Sequence, residues 1–280
     1  MARPKQEVRR ISARTELCGI VLHPAGHTRS PAMHNAAFAE AGIDAVYLAF
    51  DVHPDQLEDA LVAARALGVR QLAVSLPHKE AVLAHLDEVE TCARAIGAVN
   101  TVTLRDGRLV GTNTDWIGAV HALERNVELA GARVIVLGAG GTARALVYGL
   151  VERGALVTVL NRTPERAQVL ADDLGAVGAG PLRDLAQTPH EVLVNTTSVG
   201  LRTDDSPVPA ADLLAESLVM DVVYDPEETR LLRDARTRGA STITGKWMLV
   251  YQAAEQFRDW TGREAPLDVM ASAFDEAGGS

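Results

Sequence analysis

The sequence predicts an α/β protein laid out as two successive series of strands and helices. Two observations carry that prediction. Short apolar runs alternate with helical segments twice along the chain, and a hairpin turn with a bridging helix separates the two series. In the first series, residues 17–22 form a short apolar run that ends at His23-Pro24 and reads as a strand. Ser30-Pro31 reads as a helix start, with Ser30 as N-cap and Pro31 at the first helical position; the helix runs over 32–41 and stops at Gly42. A strand over 45–50, a helix over 54–67 closed by Gly68, and a strand over 71–76 broken at Pro77 complete the pattern of a parallel sheet with covering helices. Segments 99–104 and 109–111 then flank Asp106-Gly107, a strong hairpin signal. A helix over 115–126 leads out.

The second series opens with a buried-type strand over 134–137. A helix over 142–153, a strand over 156–160 and a helix over 167–174 follow. Further strands are expected over 192–195, 218–223 and 241–243, with a helix over 229–238. A long amphipathic helix covers 246–261. No internal repeat or low-complexity tract interrupts this order.

Composition narrows the function classes. The chain has 280 residues, 47% of them hydrophobic and 23% charged, enough apolar material for real cores and too much for disorder. A net charge of −10 argues against nucleic acid as a partner. No apolar run reaches the ~20 residues of a membrane span. Residues 1–14 are basic and polar without a signal core, and read as an extension ahead of the first strand. The expected compartment is the cytoplasm. Cys18 and Cys92 stand far apart with no C-x-x-C, so reduced, buried thiols are expected, with no disulfide framework and no metal site.

The clearest local motif is Gly138-Ala139-Gly140-Gly141-Thr142-Ala143. It fits G-x-G-x-x-A, follows a strand and opens a helix. Gly138 allows the tight turn, Gly140 lets the backbone approach a pyrophosphate, and Ala143 permits close helix packing. The helix N-terminus offers free N–H groups to the anion. At the tip of the next strand stands Asn161-Arg162-Thr163-Pro164-Glu165-Arg166 in place of the acid that would bind a free ribose 2′-hydroxyl. Arg162 and Arg166 suit a 2′-phosphate through charge-assisted hydrogen bonds, which favours NADP over NAD.

Hydride chemistry at an alcohol carbon also needs a group that holds the hydroxyl proton. Ser75-Leu76-Pro77-His78-Lys79 lies past a strand end, and Asn113-Thr114-Asp115 precedes the bridging helix. A lysine beside a carboxylate can shuttle a proton, and a histidine can switch protonation state. Spacing alone leaves Lys79 with Asp115 and His78 as open alternatives, beside surface or structural roles.

Nine motifs in order then carry a resemblance. They are Thr28-Arg29-Ser30-Pro31-x-x-His34-Asn35, Ser75-Leu76-Pro77-His78-Lys79, Gly97-Ala98-Val99-Asn100-Thr101, Asn113-Thr114-Asp115, Gly138-Ala139-Gly140-Gly141, Asn161-Arg162-Thr163, Asn195-Thr196-Thr197-Ser198-x-Gly200, Asp221-x-x-Tyr224 and Gly245-x-x-Met248-Leu249-Val250-x-Gln252-Ala253. The chain resembles the shikimate dehydrogenase family from about residue 17 to residue 261. The resemblance implies a substrate domain over 15–115, completed by C-terminal helices over 246–280, and a Rossmann-type NADP-binding domain over 116–245. It implies Lys79 as the catalytic lysine and Asp115 as its carboxylate partner. Thr28 and Ser30 would hold a substrate carboxylate with Tyr224 nearby, and Ser75, Asn100 and Gln252 would bind ring hydroxyls. Gly138, Ala139, Gly140, Gly141, Thr142 and Ala143 would cradle the pyrophosphate, Asn161, Arg162, Thr163 and Arg166 would clasp the 2′-phosphate, and Val222 and Gly245 would lie beside the nicotinamide. The implied reaction is NADP-dependent, reversible reduction of 3-dehydroshikimate to shikimate in aromatic amino-acid biosynthesis, by a monomer or homodimer.

The chain departs from the usual Asn-Val-Thr-Val-Pro-x-Lys of that family. It reads Ala73-Val74-Ser75-Leu76-Pro77-His78-Lys79, and Thr28 stands where Ser is typical. These changes are expected in the substrate pocket and leave the exact ring open. Quinate and aminoshikimate dehydrogenases on the same scaffold are alternatives, as are a methylenetetrahydrofolate-type dehydrogenase and a non-catalytic NADP-binding sensor.

Overall fold

The computed structural model describes residues 11–26 and 28–278. Most of the amino-terminal extension, residues 1–10, and the last two residues of the expected C-terminal segment therefore lie outside the described residues. The first series builds β1 (Glu16–Leu22), α1 (Ser30–Glu40), β2 (Ala45–Asp51), α2 (Leu57–Ala66), β3 (Gln71–Val74), β4 (Glu88–Val89), α3 (Thr91–Ile96), β5 (Thr101–Arg105) and β6 (Arg108–Thr112). Their six strands form one sheet in the order β2-β1-β3-β5-β6-β4. β1 runs parallel to β2 and β3, but β5 pairs antiparallel with both β3 and β6. The Asp106-Gly107 hairpin is thus absorbed into the same sheet, which is mixed where a parallel one was expected. Asp106 and Gly107 both take positive φ, 50° and 77°, as a tight two-residue turn requires.

After α4 (Asp115–Glu124), the second series builds β7 (Arg133–Leu137), α5 (Gly141–Glu152), β8 (Leu156–Asn161), α6 (Pro164–Leu174), β9 (Gly178–Pro181), β10 (Val192–Asn195), β11 (Leu218–Asp221), α7 (Arg230–Arg238) and β12 (Ser241–Ile243). This sheet is parallel throughout, in the order β12-β11-β10-β7-β8-β9. That is the doubly wound dinucleotide-binding order, with its switch point between β7 and β10. Strand alternation divides its core. Val134 and Val136 of β7 pack with α4 and α5, whereas Ile135 and Leu137 pack on the other face with Leu231 and Leu232 of α7.

The chain ends in α8 (Gly245–Thr261) and α9 (Leu267–Gly278), which pack on α1. Phe257 and Phe274 join Cys18, Ile20, Met33 and Phe38 in the core of the first sheet. Leu267, Met270, Ala271 and Phe274 follow a helical period that the reading beyond residue 261 had not placed. β4, α3 and β9 were also missed: they are short, and β9 is Gly-Ala-Gly-Pro, with no apolar run.

Two boundaries differ in ways that matter. Ser30 is not a cap: Arg29 occupies the N-cap position and Ser30 is the first helical residue, which frees its hydroxyl. The third strand stops at Val74, although Ser75 N still donates to Val21 O at 3.0 Å and Leu76 O accepts from His23 N at 3.1 Å. Ala73 sits in the apolar core and not in the substrate cleft, which corrects the expectation that this departure lies in the pocket. Cys18 is buried and its thiol is pushed up to about 12 by that burial; Cys92 is half-buried and free. Among the described residues no helix is long and apolar enough to cross a membrane.

Candidate active site

The carboxyl ends of β1 and β3 face the carboxyl ends of β10 and β11 across a cleft lined by residues of both series. Open α/β sheets place ligands at such strand ends because backbone groups there are left unpaired. Thr28, Ser30, Ser75, Lys79, Asp115 and Thr142 reach the cleft, as do Val222, Tyr224, Gly245 and Gln252. All ten were expected at a site from the sequence.

Lys79 is fixed from its backbone: its carbonyl accepts from Val99 N at 2.8 Å. Its Nζ donates to Asp115 Oδ2 at 2.5 Å and lies 3.4 Å from Thr142 Oγ1. The Lys79 and Asp115 side chains are 12% and 6% exposed, so water screens the pair little. Asp115 stands in the first turn of α4, where the helix dipole favours a carboxylate. Its Oδ1 accepts from Asn100 Nδ2 at 2.8 Å, so both oxygens are held.

Asn100 stands behind the cleft wall. Its amide nitrogen also approaches Thr114 Oγ1 and Gln252 Oε1, at 3.0 and 3.3 Å, and its carbonyl oxygen accepts from Thr114 N at 2.7 Å. One buried amide thereby ties the Asp115 turn to α8. The two helices approach closely at Gly118, where an added Cβ would lie 2.6 Å from Met248 O. Gly118 was not singled out from the sequence, although a glycine inside a helical pattern signals close backbone approach.

His78 does not face the cleft. Its ring is buried, outside the cleft lining, and bonded through Nε2 to Val52 O at 2.9 Å. Burial holds it below the usual histidine range. In the same lining, Thr28 Oγ1 accepts from Ser30 N at 3.3 Å, and Tyr224 also faces the cleft. Burial pushes the Tyr224 phenol up to about 12, so it remains a neutral group that can donate.

On the other side of the cleft, Gly138 has φ 115°, and an added Cβ would lie 2.7 Å from Thr196 Oγ1. At Gly140 a Cβ would meet nothing within 4 Å. The open space above Gly140, at the N-cap of α5, is therefore a cradle that one methyl group would begin to fill. Ala143 is fully buried against the sheet. Asn161 Nδ2 donates to Thr163 O at 3.0 Å, and Thr163 caps α6 from an extended conformation. Arg162 has no hydrogen-bond or ion-pair partner among the described residues, and Arg166 reaches only the Ala139 carbonyl, at 3.4 Å. An open anion cradle beside two guanidinium groups without carboxylates fits a dinucleotide carrying an extra phosphate. Gly245 must be glycine, because a Cβ there would lie 2.5 Å from Val222 O.

The switch point is braced by a network that motif reading did not explain. Asp221 accepts from Asn195 Nδ2 at 2.9 Å, Val223 N at 3.0 Å and Thr229 Oγ1 at 2.7 Å. Asn195 Oδ1 in turn accepts from Thr197 N and Oγ1. The loops after β10 and β11, which line the cleft through Thr196, Thr197, Val222 and Val223, are locked together by one carboxylate. Burial raises that carboxylate to about 6, against its three hydrogen bonds. Among the described residues no group of His, Cys, Asp and Glu is placed to hold a metal ion.

Comparison with known proteins agrees over most of the chain. Residues 20–102 match the model of the shikimate dehydrogenase substrate binding domain, 121–203 that of shikimate/quinate 5-dehydrogenase, and 245–273 that of the shikimate 5′-dehydrogenase C-terminal domain. The NADP(+) shikimate dehydrogenase of Thermococcus kodakarensis is 48% identical over 267 residues, covering 93% of this chain and 96% of that protein. A shikimate dehydrogenase crystallised with NADP+ superposes with a TM-score of 0.91 at 37% identity, over 96% of this chain and 97% of the other. The Thermus thermophilus enzyme, solved with NADP(H) and shikimate, gives 0.88 at 41% identity, over 94% and 99%. With similarity at this level over nearly its full length, the chain belongs to the shikimate dehydrogenase family.

Proposed function

We propose that this chain catalyses the NADP-dependent, reversible reduction of 3-dehydroshikimate to shikimate, with Lys79 and Asp115 as the proton-transfer pair. As a family member it is an NADP-dependent oxidoreductase. The observation that carries the residue assignment is the 2.5 Å contact between Lys79 Nζ and Asp115 Oδ2, set between a hydroxyl cluster and a glycine-rich cradle. In this reading, residues 15–115 with 246–280 form the substrate domain and 116–245 the NADP domain. Two separate sheets, and the packing of α8 and α9 on α1, support that division.

NADP, when bound, supplies the hydride donor or acceptor. Gly138 to Ala143 would hold its pyrophosphate, Asn161, Arg162, Thr163 and Arg166 its 2′-phosphate, and Val222 and Gly245 would flank its nicotinamide. Thr28, Ser30 and Tyr224 donate to the substrate carboxylate without adding charge. Ser75 and Gln252 bind ring hydroxyls, and Asn100 assists by holding Gln252 and Asp115. In reduction, Lys79 gives a proton from Nζ to the oxygen that becomes the hydroxyl; in oxidation it takes that proton back. Asp115, gripped by Asn100, keeps Nζ aimed at that oxygen. The reading places the enzyme in the cytoplasm as a monomer or homodimer whose partner is a small molecule. The net charge of −10 speaks against nucleic acid.

Initial rates of shikimate and quinate oxidation, each with NADP and NAD, test the proposal in wild type and Lys79→Ala. The expected result is NADP-dependent shikimate turnover that falls about 10³-fold in the variant. A preference for quinate would move the chain to that branch of the family. Wild-type silence on every cyclohexene carboxylate, with NADPH still bound, would favour a sensor.

A further inference from the structure

Lys79 of the cleft lining, and Arg202 and Lys246, which follow the lining residues Leu201 and Gly245 in sequence, are each paired with a carboxylate. Lys79 is held by Asp115 at 2.5 Å, Arg202 by Asp225 at 2.9 Å and Lys246 by Asp275 at 2.6 Å. Among the described residues, Lys79 is the one cation in the cleft lining, and Asp115 neutralises it. A carboxylate entering a protein of net charge −10 therefore meets neutral hydroxyls at Thr28, Ser30 and Tyr224 but no free positive charge on the described lining itself.

Arg29 breaks that pattern. It stands between Thr28 and Ser30 in sequence, and its guanidinium has no carboxylate or hydrogen-bond partner among the described residues. Its Cζ lies 4.2 Å from the Phe274 ring centroid and 5.9 Å from that of Tyr224. Those two rings meet edge to face, with centroids 6.0 Å apart. The guanidinium also fits closely against the end of α9, where a Cβ on Gly278 would come within 2.7 Å of it. Aromatic faces and a helix C-terminus attract a cation without removing its unit charge. That charge reaches Tyr224: it acts against the burial that raises the phenol.

We propose that Arg29, clamped on Phe274 and Tyr224, is the positioning residue that gives the neutral hydroxyl seat its selectivity for a carboxylate. It acts in two ways. Its charge favours an anion at the hydroxyls of Thr28, Ser30 and Tyr224, and its stacking joins the 28–30 turn to Tyr224 in the loop after β11. The proposal rests on the reading of a carboxylate substrate given above.

The test compares shikimate with its methyl ester in wild type, Arg29→Gln, Arg29→Lys and Phe274→Leu. Arg29→Gln is expected to raise KM for the acid about tenfold, the effect of one partly screened charge, with kcat changed much less. The ester's KM should stay near its wild-type value. Arg29→Lys should recover most of the acid's affinity, raised salt should narrow the gap between acid and ester in wild type alone, and Phe274→Leu should weaken the acid moderately. Equal losses for acid and ester in Arg29→Gln, or no loss for either, overturn the proposal. A wild type that oxidises no shikimate would sink the reaction proposed above. In that case the same acid–ester comparison, read by equilibrium binding, still decides the role of Arg29.

Discussion

The two sheets assemble their parts of the cleft differently. The second gathers its cradle from neighbouring strand ends: Gly138 to Ala143 after β7, Asn161 to Arg166 after β8, and the Asp221 brace across β10 and β11. Few of those contacts depend on the rest of the chain. The first draws on five segments, at Thr28, Lys79, Asn100, Asp115 and Gln252, and the buried Asn100 amide joins Asp115, with its partner Lys79, to Gln252, 152 residues beyond Asn100. A cofactor site can be carried by a local turn, because backbone N–H groups and glycine conformations do the binding. A proton-transfer site cannot, because it needs side chains of opposite charge brought together out of water.

The same contrast predicts opposite responses to acid. His34, in the core of the first sheet, is stacked on Tyr47 at 4.2 Å, and burial lowers it to about 4. Its folded value lies below the unfolded one near 6.5, so it contributes stability that is present above about pH 6.5 and lost as pH falls through about 4. Asp221 in the second sheet is raised to about 6 from 3.8. It contributes stability that is full below about pH 3.8 and lost as pH rises through about 6. Each is worth about 3 kcal/mol across its window, and over most of that span they oppose one another. Relative to wild type, His34→Phe should therefore become more stable on acidification from about pH 6.5 to about pH 4, and Asp221→Asn less stable, each by about 3 kcal/mol. Urea melts at the two pH values read this directly. Parallel shifts of both variants would break the comparison.

Within the cofactor side, two glycines separate folding from binding. Gly138→Ala forces a Cβ into a left-handed turn against Thr196 and should cost about 1–3 kcal/mol of stability. Gly140 has φ −101°, which any residue adopts, and open space beside it. Gly140→Ala should change stability by less than about 0.5 kcal/mol, yet weaken NADP at least about tenfold by filling the pyrophosphate cradle. Thermal melts with fluorescence titration of NADPH distinguish the two. An equal loss of stability in both variants would assign the whole loop to folding.

What could be read from the sequence follows the same division. The G-x-G-x-x-A turn, its flanking strand and helix, and Arg162 with Arg166 were all local, and each element fell within a few residues of its reading. The Lys79–Asp115 pair was not legible from spacing, since its members lie 36 residues apart and meet only because the loop after β3 and the start of α4 reach one cleft. Only the resemblance to a family chose Lys79 over His78, and the position of His78 is consistent with that choice, since its ring bonds Val52 O outside the cleft lining. Ser30 was misplaced as a cap because Ser-Pro fits that role well, while the chain starts α1 at Ser30 itself and sets Pro31 in the first turn. Ala73 looked like a pocket change by its nearness to Ser75, but Ala73 still lies within β3 and packs in the apolar core, whereas Ser75, just past the strand end, lines the cleft. The Asp221 brace carried no periodic signal, because three hydrogen bonds to one carboxylate leave no trace in an apolar pattern.

The smallest expected effect tests how far the cofactor half is local. Arg162 has no partner among the described residues, so removing it leaves no unpaired group behind. Arg162→Gln should leave stability within about 0.5 kcal/mol of wild type, as surface substitutions do. If its guanidinium meets the 2′-phosphate, KM for NADP should rise about tenfold, one charge-assisted hydrogen bond, while KM for NAD stays unchanged because NAD lacks that group. The ratio of the two KM values, measured with the same substrate, is thus the readout. A rise in both would mean that Arg162 shapes the adenosine pocket as a whole. No change in either would pass the phosphate to Arg166, whose guanidinium already bends toward the Ala139 carbonyl of the glycine-rich turn.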